Sequence, residues 1–190
     1  MKDIMIATSN KGKVREYKEL LEPLGYRVHD LSEIEHCEVD ENGTTFAQNA
    51  LIKAEAVYKT CDMTVISDDS GLEITALNNE PGIHSARYLE GESYDVKNRS
   101  LIARLEGKED RSARFVCAIA LIDDLGKHIF EGVMEGSIGF EQRGENGFGY
   151  DPIFIPEKEE RTSAELSPDE KNAISHRGQA TRKLVEYLSK

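Results

Sequence analysis

Strand-sized apolar runs alternating with segments of helical period predict an α/β fold, and a late hairpin makes its central β-sheet mixed, with helices flanking it. Three stretches carry the prediction. Ile4–Ala7 runs directly into a polar turn and then VREYKELLEPLG; Met63–Ile74 reads MTVISDDSGLEI; and Arg111–Asp123, RSARFVCAIALID, is followed across a short turn by HIFEGVMEGSIG. At 190 residues the chain is most simply one domain, residues 1–190, large enough to bury about 70% of its unfolded surface.

In order along the chain, Ile4, Met5, Ile6 and Ala7 form a first strand, and Thr8, Ser9, Asn10, Lys11, Gly12 and Lys13 form the turn after it. Val14, Tyr17, Leu20, Leu21 and Leu24 recur at helical spacing, Gly25 supplies a C-terminal turn, and Ser9 or Asn10 is the N-cap. The helix N-terminus then lies at the strand's end, where free backbone N–H groups beside Lys11 and Lys13 make an anion site. It is not a Walker loop, because GxxxxGK[ST] is absent. A second strand is expected at Tyr26–Leu31, then an acidic loop from Glu33 to Glu41.

A helix begins near Thr44 or Thr45, with Phe46, Ala50, Ala54, Val57 and Cys61 on its buried face and Asn49 and Lys53 on another. The run NNEPGIHSARY reads as an adaptable surface loop, and SYDVKNRSLIARLEG as a helix using Val96, Leu101, Ile102 and Leu105. After the hairpin, three glycines surround Phe148 and Tyr150 in RGENGFGYDPIF, where glycine permits close backbone approach to a ligand. The tail carries a capped turn at Ser167–Glu170, then Lys171, His176 and Arg177 ahead of a final amphipathic helix.

Composition excludes several classes. Lysine plus arginine number 24 against 36 aspartate plus glutamate, a formal charge of -12, so the surface as a whole repels nucleic acid and anionic membranes. An anionic ligand needs a local basic cluster. Cys37, Cys61 and Cys117 are three, with no close pair, which fits a reducing, cytoplasmic compartment. The longest apolar run, Phe115–Ile122, is strand-sized and too short for a membrane span.

The chemistry concentrates at Asp68, Asp69 and Ser70. Thr64, Val65 and Ile66 suit a strand covered on both faces, and the carboxylates that follow need a cationic partner if buried. Ligands of α/β proteins gather at strand C-termini, so a metal or a metal-bound substrate competes with a solvated Asp-Ser-Gly turn. Glu41 is either a dipole-favoured acid or a metal ligand, and Lys53, bordered by alanines on a partly buried helix, stands out although such lysines more commonly snorkel to water.

Six blocks in order, TSNKGK, GTTFAQNALIKA, SDDSGLEI, PGIHSARY, GENGFGYDPIF and EKNAISHRG, resemble the inosine triphosphate pyrophosphatase family from Ile4 to the last helix. The resemblance implies an elongated two-lobed α/β fold with an active-site cleft between lobes, a homodimer and a requirement for Mg2+. The implied reaction takes ITP, dITP or XTP to the monophosphate and pyrophosphate. Matched by position, Thr8 to Lys13 hold phosphates, Glu41 and Asp69 serve the metal, Asp69 also activates water, Asp68 supports it, and Lys53 neutralises phosphate charge. Ser70 contacts substrate. Phe148, Gly149, Tyr150 and Asp151 form the nucleoside wall, and Lys171, His176 and Arg177 reach the base. Gln48, Thr75 and Ser163 depart from the family's usual Glu, Asp and Phe. Pyrimidine-directed pyrophosphatases of similar fold and a non-hydrolysing nucleotide sensor are the competing readings.

Overall fold

The computed structural model describes residues 2–34 and 39–190; Cys37 and part of the expected acidic loop lie outside them. Seven strands form one sheet in the order β2-β1-β3-β5-β6-β7, with β4 pairing on β3. The strands are β1 (Lys2–Ile6), β2 (Tyr26–Asp30), β3 (Thr64–Ile74), β4 (Glu80–Pro81), β5 (Ser112–Asp123), β6 (Gly126–Ile138) and β7 (Phe154–Pro156). The helices are α1 (Lys11–Leu21), α2 (Phe46–Tyr58), α3 (Tyr94–Arg104), α4 (Pro168–Ile174) and α5 (His176–Leu188). β1 pairs in parallel with β2 and with β3, whereas β4 and β7 pair antiparallel with their neighbours, so the sheet is mixed as expected.

The chain divides into two compact units. The first comprises residues 1–69, 118–131 and 180–190, the second residues 70–117 and 132–179. In the first, Met5, Ala7, Val65, Ala120 and Ile122 pack with Ala50, Ala54 and Val57 of α2. Small alanines on that helix face let it lie close to the strands. The segment formed by α1 and the tight 3-10 turn Glu22–Leu24 after it ends on Gly25, whose φ of 87° suits a residue without Cβ. Its Leu20 and Leu24 are exposed, so the buried stripe is narrower than the leucine spacing suggests.

In the second unit, Leu72, Ile74, Leu101, Leu105, Phe115, Met134, Ile138, Tyr150, Ile153 and Phe154 form the core. Fully burying one such side chain contributes roughly 1.5–3 kcal/mol. The expected adaptable loop at 78–88 is instead tied down. Its Ser85 is buried, its hydroxyl donates to the Gly82 carbonyl at 2.6 Å and accepts from the Leu72 N–H at 2.9 Å, and Glu80–Pro81 pairs with β3.

The SDDSG segment is also not a turn. β3 runs unbroken through it to Ile74. The local preference of Asp, Ser and Gly for turns yields to a central position in the sheet, between β1 and β5.

Candidate functional site

In the first unit the site is built on three elements. β1 leads into the turn at Thr8, and the Ala7 N–H still donates to the Ile66 carbonyl, at 2.7 Å, which fixes that turn beside β3. Asn10 caps α1, its side-chain oxygen accepting from the Gly12 N–H at 2.9 Å and the Lys13 N–H at 3.3 Å. These two donors, expected to be free for an anion, are already satisfied by the cap. The Thr8 hydroxyl accepts from the Asn10 N–H. Ser9 and Lys11 are exposed, while Lys13 reaches inward to the Asp68 carboxylate at 2.7 Å.

Asp68 is 2% exposed, and a buried carboxylate without a cation is costly. Lys13 supplies that cation. Lys53, from α2, donates to the Asp68 carbonyl at 2.8 Å and pairs with Glu41 at 3.3 Å. It is a bridge between strand and loop, not a side chain stretched to water. Asp69 is the neighbouring carboxylate: burial pushes its carboxyl above the usual range, and Glu41 pushes the same way, against Lys53, an Asn49 hydrogen bond and Lys13. The cluster thus sets three carboxylates, Glu41, Asp68 and Asp69, against two ammonium groups, Lys13 and Lys53. Among these described residues the formal count leaves one negative charge over.

That surplus fits a hard divalent cation. Among the described residues no group of three or more His, Cys, Asp or Glu side chains is arranged to hold a metal alone. Mg2+ does not need one, since it is usually held by one or two carboxylates with substrate phosphates and water. Asn49, expected on a different face from the apolar residues, is itself fully buried; its side-chain oxygen accepts from the Gly43 N–H at 2.9 Å, steadying the segment after Glu41. Gln48, where relatives of the expected family carry an acid, accepts from the N–H and hydroxyl of Thr44 and so completes the helix start.

In the second unit, Phe148 is 63% exposed on a loop whose Gly147 and Gly149 both have positive φ. Asp151 organises this loop. Its carboxylate accepts from the Phe148 N–H at 2.9 Å and from the Lys171 ammonium at 2.5 Å. Lys171 and Arg177 both sit over the Phe148 ring, at 5.3 and 5.8 Å from its centroid, and the Arg177 guanidinium reaches the Ser70 hydroxyl at 3.5 Å.

Phe148, Asp151, Lys171, Arg177 and Ser70 are therefore brought together. Tyr150 and His176 are not presented with them in the same way. Tyr150 is buried, donating to the Ser85 carbonyl at 2.6 Å, with its phenol pushed up by burial. His176 stacks on Phe115 with ring centroids 4.9 Å apart and planes 11° from parallel, so one face is committed to the core.

The mixed α/β fold carries a lysine-bridged carboxylate cluster in the first unit, suited to a cation, and an exposed aromatic flanked by cations in the second, suited to a planar ring. The chain belongs to the Ham1 family, whose model matches residues 4–187. A dITP/XTP pyrophosphatase of Bacillus licheniformis is 50% identical, with 99% of this chain and 98% of that protein covered; one of Bacillus subtilis is equally identical over the same shares. Among solved structures, the Staphylococcus aureus Ham1 protein is similar with a TM-score of 0.93 at 44% identity, covering 98% of each chain. A HAM1 protein from Coxiella burnetii gives 0.95 at 43% identity, covering 100% of this chain and 99% of that one.

Proposed function

We propose that this protein hydrolyses the non-canonical purine nucleoside triphosphates ITP, dITP and XTP to monophosphate and pyrophosphate, and so cleanses the nucleotide pool. The observation that carries this is the Glu41–Lys53–Asp68–Asp69 cluster, with its surplus negative charge and its raised Asp69 carboxyl. Names of relatives at 50% identity support the substrate class. On this reading Asp69 accepts a proton from a water that attacks the α-phosphorus. The bond from that phosphorus to the bridging oxygen breaks, and pyrophosphate leaves with the electron pair. A carboxylate raised by burial is a stronger proton acceptor than an ordinary one.

Glu41 and Asp69 would hold Mg2+, which supplies neutralisation of phosphate charge when bound. Lys53 and Lys13 add positive charge near those phosphates, with Lys11 and the Thr8–Gly12 turn beside them. Asp68 keeps Lys13 in place. Arg177, with Lys171, donates to the 6-keto oxygen of the base, His176 supports it, and Phe148, Gly149, Tyr150 and Asp151 make the wall against the nucleoside, with Ser70 contacting substrate. The protein works as a cytoplasmic homodimer and binds neither nucleic acid nor membrane; among the described residues no helix is long and apolar enough to cross one.

Hydrolysis of ITP in 18O-labelled water, with products separated, tests the reaction. The label is expected in the monophosphate, with one pyrophosphate per turnover. Release of orthophosphate would place attack at the γ-phosphorus and overturn the assignment.

A further inference from the structure

Two consecutive buried side chains near the start of α3 each reach a different loop. Lys97, 5% exposed, donates its ammonium to the Ala86 carbonyl at 3.2 Å, and Asn98, 1% exposed, donates its amide to the Gly149 carbonyl at 3.1 Å. The second amide contact of Asn98 is to the Gln142 side-chain oxygen, at 3.1 Å, and the Gln142 amide in turn donates to the Asp95 carboxylate at 2.8 Å. One turn earlier on the same helix, the Tyr94 ring meets the Tyr150 ring edge-on at 5.4 Å. A Cβ at Gly149 would lie 3.7 Å from that Tyr94 ring, so the helix packs directly behind the glycine loop.

The loop itself has little to hold it locally. Gly147 and Gly149 have φ of 75° and 70°, which glycine adopts without penalty but does not enforce. Its order must come from outside contacts. Asp151, itself paired with Lys171, accepts from the Phe148 N–H on one side, and Asn98 donates to the Gly149 carbonyl on the other.

We infer that Asn98 is a positioning residue for purine recognition: from α3 it fixes the Gly149 peptide and thereby the orientation of the Phe148 ring that carries Lys171 and Arg177. This rests on the proposed purine triphosphate activity. It adds that substrate selectivity depends on a residue which touches neither base nor phosphate. Asn98 is suited to this because its amide donates to two acceptors at once. An aspartate of the same shape offers an acceptor to both, leaving the half-buried Gly149 carbonyl and the Gln142 oxygen facing like partial charge.

The test compares wild type with Asn98→Asp and Asn98→Leu, using two inhibitors that divide the substrate: IMP, which carries the base, and inorganic tripolyphosphate, which does not. Both variants are expected to weaken IMP inhibition and raise KM for ITP about tenfold, with kcat kept within about threefold and tripolyphosphate inhibition unchanged. Hydrogen exchange at the Gly147–Asp151 amides is expected to speed up in the variants, with β5 protection unaltered. Unchanged IMP inhibition, or IMP and tripolyphosphate weakened in parallel, would overturn the positioning role.

If both variants prove unfolded, Gln142→Leu is read by the same ratio, since it removes the other anchor of the Asn98 amide from a half-buried site. Wild type that releases no pyrophosphate from ITP sinks the parent reading instead. The two failures are distinguishable because the parent reading is tested on wild type alone, by pyrophosphate release, and the positioning role only on the difference between the variants and an active wild type.

Discussion

At the scale of single residues, Asp69 carries opposite demands. Burial and the nearby Glu41 charge raise its carboxyl, so its ionised form is disfavoured in the folded chain relative to the unfolded one. The sign follows from linkage: the folded state holds its proton to higher pH, so the contribution is complete below the ordinary carboxylate value and is lost as pH rises from there through the raised one. Asp69→Asn removes that cost while removing the proton acceptor. The variant is expected to melt higher than wild type in EDTA, and to lose about 10²- to 10⁴-fold in kcat with little change in KM. A variant that turns over normally would end the assignment of Asp69 as base. Arg177 makes a separate demand. Its guanidinium only donates, so in the proposed base-reading role it would favour a 6-keto group and leave a 6-amino group unpaired. Arg177→Ala is expected to lower the ratio of kcat/KM for ITP to that for ATP by at least about tenfold, within the roughly 10⁴-fold such sites reach. An unaltered ratio would assign discrimination elsewhere.

At the scale of elements, β1, β2 and the turn after β2 are joined by one imidazole. His29 contacts Asp3 at 2.9 Å and Glu33 at 2.6 Å. Hydrogen bonds to Asp3 and then Glu33 raise the His29 pKa, and hydrogen bonding to His29 lowers both carboxyls. The histidine contribution is complete below its ordinary value and lost as pH rises through the raised one. The carboxylate contribution is complete above the ordinary carboxylate range and lost as pH falls through the depressed values. The cluster therefore stabilises most between about pH 4.5 and 6.5. In thermal melts from pH 5 to 9, His29→Gln is expected to remove part of the decline on the alkaline side, modestly because the carboxylates are exposed to solvent. The elements also show what a sequence reveals. The strand-to-helix passage at Thr8–Lys13 was legible because a cap and an apolar stripe are local signals, and Lys53 stood out among alanines. The extended SDDSG segment was not, since sheet pairing outweighed a local turn preference. Asn98 was hidden for a related reason: its partner Gly149 lies 51 residues away, and no local pattern announces such a bond.

At the scale of the whole molecule, a ligand that binds only the folded chain stabilises it by mass action. With Mg2+ and a non-hydrolysable ITP analogue at about 100 times Kd, the gain is about 2.7 kcal/mol. That corresponds to a rise in Tm of about 5–10 °C for a chain of this size. Omitting Mg2+ is expected to remove most of the rise, and a rise as large in EDTA would count against cation-assisted binding. The two compact units bear on a different question, that of descent. All four boundaries between them fall inside regular elements: in β3 after Asp69, in β5 after Cys117, in β6 after Glu131 and in α5 after Gln179. Neither unit is a continuous stretch of gene. The carboxylate cluster lies within residues 13–69 and the arginine-flanked aromatic within residues 148–177, so one crossover between them exchanges the two, but the first unit, whose last segment is 180–190, then always combines chain from two parents. Exchange is limited by packing inside the first unit, whose segments 1–69 and 118–131 share one core.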